Sequence, residues 1–145
     1  MEEQKRRILE FLKAHRLTVI ATVDTEHNRP EAAVIAFAEK ESLDLIFGTS
    51  NKTRKYRNIQ NNPEVSFVIG WSDELGTVQY EGIATELSGD EAIEHGTILA
   101  DKNENARIFL SKADQRYFLV KPSWIRMVDK SVFPEERFEL GPGEL

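Results

Sequence analysis

Residues 47–62, FGTSNKTRKYRNIQNN, gather side chains whose types and spacing suit a phosphate group. A β-like run ends at Gly48-Thr49-Ser50, and a short helix is expected from Thr53. With Thr53 as N-cap, Arg54, Lys55 and Arg57 all fall in the first turn, where the helix dipole and the unpaired N–H groups favour negative charge. Cations there are misplaced unless an anion lies among them. Backbone amides at the helix start, the hydroxyls of Thr49, Ser50 and Thr53, and the adjacent Arg54 and Lys55 together form a cradle suited to a phosphate monoester. On charge alone, a solvated basic helix face is the alternative.

The charge of the whole chain favours the cradle. Among 145 residues, 25 Asp and Glu outnumber 19 Lys and Arg for a formal net charge of -6, yet Lys52, Arg54, Lys55 and Arg57 cluster together. Nucleic-acid binders usually spread positive charge over a broad surface, because affinity grows with each phosphate neutralised. One basic island on an acidic chain suits a small phosphorylated ligand better. The absence of cysteine excludes disulfides, thiolate nucleophiles and Cys-ligated zinc, and is compatible with a reducing cytoplasm, which is the expected compartment. Residues 1–16 lack the apolar core of a signal peptide, and no later run approaches membrane-spanning length.

The elements that must position these residues follow from periodicity. Ile8, Leu9, Phe11 and Leu12 give residues 2–15 an amphipathic helical stripe. Residues 17–24 and 31–38 read as strands joined by a polar turn, residues 43–49 as a third strand, and the basic helix stops near Asn61-Asn62-Pro63. Residues 65–71 and 77–87 supply two more strands, with Gly82 marking a bulge or bend. Residues 90–111 read as helix in two pieces, capped by Ser88 or Asp90, and residues 116–129 as one interrupted strand or two short ones around Pro122. The fold expected is mainly β with helices (α+β), an antiparallel, Greek-key-like split barrel of about six strands with flanking helices. One domain spans residues 1–130, followed by a tail, 131–145, that holds Phe133, Phe138 and Leu140 and either frays or docks on a partner subunit.

Other chemistries find little support. Gly48 to Thr53 lacks the second glycine of a P-loop, and Gly70-Trp71-Ser72-Asp73-Glu74 lacks that of a nucleophile elbow. His15, His27 and His95 have no paired-ligand spacing and read as surface residues, so no metal site is expected. An anion cradle with few acid, base or nucleophile candidates points to a bound cofactor that carries its own chemistry.

From residue 17 to about residue 129 the ordered elements resemble the pyridoxamine 5'-phosphate oxidase-like family of flavin mononucleotide (FMN)-binding split barrels. The strands VIATVD, EAAVIAFA and LDLIFGT, then TSNKTRKYRNIQNNPEVSFVI and VQYEGIATEL, carry the likeness. The resemblance implies that Thr53, Arg54 and Lys55 hold the FMN phosphate, with Thr49 and Ser50 nearby. It implies that Val34, Ile35, Ala36 and Phe37 lie along the isoalloxazine ring, and that Thr77 stands where the oxidases have a flavin-contacting Gln. It also implies a homodimer with cofactor at the subunit interface, and an oxidoreductase acting on a small organic substrate. Ala33 and Ala38 replace an Arg and a Lys of the oxidases, and residues 124–129 lack their substrate-binding histidine motif, so the likeness carries FMN binding rather than pyridoxamine 5'-phosphate oxidation itself. The alternatives are a non-catalytic flavin- or haem-binding stress-related module, and a split-barrel relative using a deazaflavin.

Overall fold

Strict alternation of burial sets the sheet. In β1 (Leu17–Asp24) Thr18, Ile20, Thr22 and Asp24 point inward, and in β5 (Glu64–Ser72) Val65, Phe67 and Ile69 do the same. Side chains two apart share a face of a strand, so each strand offers one apolar edge to a common core. The computed structural model describes residues 2–145, and among them the remaining strands are β2 (Arg29–Ala36), β3 (Ala38–Glu39), β4 (Leu45–Ser50), β6 (Gly76–Glu86), β7 (Gln115–Asp129) and β8 (Glu136–Leu140). Every pairing is antiparallel, in the order β2-β1-β5-β6-β7-β4-β3 with β8 on β7, and the curled sheet with its flanking helices is the split-barrel architecture expected.

The concave face closes over an aromatic centre. Phe47 stacks on Phe118 at 5.0 Å between centroids, and Phe67 meets Tyr80 edge-on at 5.6 Å. The buried Tyr80 hydroxyl donates to the Leu43 carbonyl at 2.8 Å, as a phenol in an apolar core must. The bulge expected at Gly82 appears as a register shift in the β6–β7 ladder between Glu81 and Gly82. Pro122 pairs with Gly82 there, at an irregularity where the missing proline N–H is tolerated, so β7 runs unbroken for 15 residues.

Helix α1 (Glu2–Lys13) closes the barrel with Ile8, Phe11 and Leu12 buried, acids in its first turn and a lysine in its last, in accord with its dipole. Phe11 lies against Gly70, whose φ of +73° and whose missing side chain both matter: a Cβ there would sit 2.6 Å from the Phe11 ring. Helix α3 (Gly89–Lys102) and a 3-10 helix (Glu104–Ser111) cover the β4 side, with Ser88 at the N-cap making no side-chain capping bond. Lys102 ties this layer to the rest, through Glu39 and through a bond to the Leu12 carbonyl at 2.9 Å. His95 is buried rather than on the surface. Its Nδ1 meets the Glu91 carbonyl one turn earlier in α3 at 2.7 Å, and its Nε2 faces Lys40 Nζ at 3.2 Å, a contact across 55 residues that sequence spacing does not encode.

The tail does not fray. Residues 136–140 form β8 against β7, and Leu140, opposite Ile125, is fully buried in the main core. Arg7 binds it to α1 by bridging Asp129 at 2.6 Å and Glu136 at 2.8 Å. Leu140→Ala should therefore lower the free energy of unfolding in urea by about 2–5 kcal/mol, as for other buried leucines. A change within about 0.5 kcal/mol, the scale of surface substitutions, would mean the tail contributes nothing to the fold.

Candidate functional site

Helix α2 (Arg54–Asn61) begins where β4 ends, and its start is built by hydroxyls. Thr53 is the N-cap, and its Oγ1 accepts the Tyr56 N–H at 3.2 Å. The same hydroxyl donates to the Ser50 carbonyl at 3.0 Å, so at 2.9 Å from Thr49 Oγ1 it receives that residue's proton. Its one proton and both lone pairs are then occupied. Ser50 Oγ donates to Asp114 at 2.7 Å and accepts the Lys52 N–H at 3.1 Å. This contact holds the Asp114 carboxyl below the usual aspartate range. The hydroxyls of Ser50 and Thr53 thus shape the turn. The groups left to meet a ligand are the cations and the N–H groups of Arg54 and Lys55, since that of Tyr56 is taken by the Thr53 cap.

Lys52, Arg54 and Lys55 line a cleft of about 400 Å³ together with Ile20, Thr22 and residues 31–33 of β2, whereas Arg57 lines a separate cleft with Tyr56 and Gln60. The first turn of α2 contains no acid. Arg54 Nη1 reaches Glu31 Oε2 at 2.9 Å. Lys55 is half-buried and makes no ion pair among the described residues. Burial first, and then the positive charge of Arg54, push its pKa below the ordinary lysine value. The arrangement disfavours its own cation and favours an anion.

A second cleft, about 690 Å³, opens farther along β2. Its walls include Leu17, residues 34–36, Gly48, Thr49, Ser50 and the face of the 3-10 helix around Phe109. One strand therefore runs from the cationic cleft, at Ala32 and Ala33, into the apolar one, at Val34, Ile35 and Ala36. Phe37 lies in neither. Its ring is fully buried in the core beneath Lys102, whose Nζ is 4.1 Å from the ring centre, and its N–H bonds the Arg16 carbonyl at 3.1 Å. Thr77 is also elsewhere, at the start of β6, with its hydroxyl directed to the Ile69 carbonyl at 3.3 Å.

Ile20, Thr22 and Glu31, which the sequence did not single out, also line the cationic cleft, and Asn58 of α2 braces it from the core. Asn58, almost wholly buried, donates through Nδ2 to Thr22 Oγ1 at 3.0 Å and to Glu31 Oε1 at 2.8 Å. The available signal was spacing: Asn58 stands four residues after Arg54, on the same helix face, and Glu31 lies opposite Thr22 in the β1–β2 register.

The comparisons with known proteins bear on the family and the fold. A family model described as pyridoxamine 5'-phosphate oxidase matches residues 4–129. A pyridoxine/pyridoxamine 5'-phosphate oxidase from Anaplasma phagocytophilum (strain HZ) is 38% identical over 74 residues, which are 51% of this chain and 35% of that relative, so the match spans about a third of the relative's length. Among solved structures, a heme binding protein from Mycobacterium smegmatis superposes with a TM-score of 0.80 at 17% identity, covering 99% of this chain and 59% of that one. General Stress Protein 26 from Bacillus anthracis superposes at 0.72 with 21% identity, covering 95% and 99%. With a matching family model over residues 4–129 and the split-barrel sheet that those neighbours share, the chain belongs to the pyridoxamine 5'-phosphate oxidase family.

Proposed function

We propose that the protein is an FMN-binding flavoprotein, an oxidoreductase for a small organic substrate, working as a cytoplasmic homodimer with the cofactor at the subunit interface. The observation that carries the reading is Lys55: a half-buried ammonium beside a second cation at a helix N-terminus, with no carboxylate partner among the described residues. A phosphate monoester would relieve the repulsion and meet the first-turn amides at once. Lys55 and Arg54 would hold the phosphate, Thr49, Ser50 and Thr53 would fix the turn, and Val34, Ile35 and Ala36 would flank the ring and exclude water. When bound, FMN supplies hydride and electron transfer. The chain's own part is to bind and orient.

The dimer reading rests on the outer face of the sheet. Val34 and Val68 are 61% and 39% exposed, and each stands opposite Val19 across β1. Leu17, half-exposed, extends this strip into the apolar cleft, so a second copy covering the strip would also wall the ring. Thr77 would act, if at all, from such an assembly.

A second reading, haem, draws on the Mycobacterium smegmatis neighbour. The residues lining the two clefts favour FMN, since they include no His, Cys, Met or Tyr to ligate iron.

Lys55→Met should weaken FMN binding by about 1.5–3 kcal/mol in calorimetry, the scale of a hydrogen bond to a charged group, while raising the melting temperature of the ligand-free protein. A fall in both would make Lys55 a structural residue. The pH dependence has a defined sign. FMN affinity should rise as the phosphate loses its second proton near pH ~6, and fall again at alkaline pH as Lys55, its pKa lowered, deprotonates before an ordinary lysine does. Affinity that holds constant until the pH of free lysine would contradict the assignment. Val34→Asp should give a monomer by sedimentation and lose FMN; a dimer that retains FMN would remove the strip from the interface.

A further inference from the structure

Glu31 is out of place in an anion site. Its carboxylate lines the cationic cleft, where it should repel the ligand, yet only 13% of its side chain is exposed and both oxygens are held. Oε1 accepts from the buried amide of Asn58, itself anchored on Thr22, and Oε2 lies 2.9 Å from Arg54 Nη1 in an ion pair. The pair is asymmetric. Glu31 is fixed by the scaffold through β1, β2 and α2, whereas the Arg54 side chain is 69% exposed and meets the protein through Nη1 alone. The ion pair uses one corner of the guanidinium, and its five N–H donors are the fork that suits a phosphate. Without Glu31, an exposed arginine samples many rotamers and loses that freedom when it grips a ligand. With Glu31, the guanidinium is already held at the cleft.

We propose that Glu31 is a positioning residue for the phosphate end of the ligand: pinned by Asn58, it holds Arg54 in place to receive the phosphate, and this ordering outweighs its own repulsion of the anion. The inference rests on the FMN reading of the cleft and adds the source of Arg54's placement. It also accounts for charge. By formal charge, Lys52, Arg54 and Lys55 set against Glu31 leave the cleft two positive charges, the complement of a phosphate monoester dianion.

The test is a double-mutant cycle between Glu31→Gln and Arg54→Ala, read by FMN titration, with riboflavin as the ligand lacking phosphate. In the otherwise unchanged protein, Glu31→Gln should weaken FMN roughly three- to tenfold, the effect of part of a hydrogen bond, although it removes a negative charge from an anion site. In the Arg54→Ala background the same change should strengthen FMN binding, because Glu31 has lost its partner and only repels. Riboflavin affinity should not respond in either background. Tighter FMN binding by Glu31→Gln alone would overturn the proposal by making Glu31 a plain repulsive charge. Equal weakening of FMN and riboflavin in both backgrounds, with a lower melting temperature, would overturn it by making Glu31 a structural tie. The wild-type protein is also titrated with inorganic phosphate by 31P NMR. Phosphate binding without FMN binding would end the FMN reading alone, and the cycle run on phosphate would then decide Glu31; binding of neither would overturn both.

Discussion

One buried amide sets the relation between the two halves of the candidate site. Asn58 reaches from α2 to Thr22 on β1 and Glu31 on β2, and so fixes the helix that carries the cations against the strands that wall the cationic cleft. A buried amide left unbonded is costly, so this node tolerates little slack. Because β2 then continues past Val34 into the apolar cleft, the distance between the cationic and apolar clefts is a property of the strand rather than of a loop. On the other side of α2, Tyr56 and Gln60 bond Glu86 at the end of β6 at 2.8 and 3.1 Å, so the helix is held from both flanks. A site on rigid elements keeps its geometry without a ligand.

The electrostatics run against stability and toward binding. A helix start with Arg54, Lys55 and Arg57 and no acid opposes its own dipole, and burying Lys55 adds a desolvation cost. Elsewhere the chain follows the ordinary rule: α1 opens on Glu2 and Glu3 and closes on Lys13, and α3 opens on Asp90 and Glu91 and closes on Lys102. Of the three α-helices, α2 alone has no acid in its first turn, the kind of break in a local rule that is expected at a functional site. Glu31 tempers it, offsetting one cation through a fixed contact while leaving Lys55 unmatched.

Much of this was legible in the residues. The bounds of β1, the Thr53 cap, the arrest of α2 near Asn61 and the irregularity at Gly82 follow from alternation, capping chemistry and backbone freedom, all local properties. What sequence could not supply was pairing. The strand at residues 136–140 is short and lies between Pro134 and Gly141, and it exists because Leu140 finds Ile125. The expected strand 31–38 divides at Phe37, whose N–H turns to Arg16, leaving Ala38 and Glu39 to pair with β4. The same limit applied in the site. Ser, Thr and basic residues near a helix start were readable as an anion cradle, but whether a hydroxyl faces a ligand or its own turn depends on partners such as Asp114, 64 residues away. Glu31 and Asn58 escaped notice because each looks ordinary until β2 and α2 are brought together.

The central claim is that the start of α2 recognises a phosphate monoester. The most direct measurement is the ratio of FMN to riboflavin affinity for the unaltered protein, titrated side by side at neutral pH and low salt. Two charge-assisted hydrogen bonds to the phosphate predict that FMN binds about a hundredfold tighter or more. Equal affinity for the two would contradict the account, because the ring would then bind without the cradle.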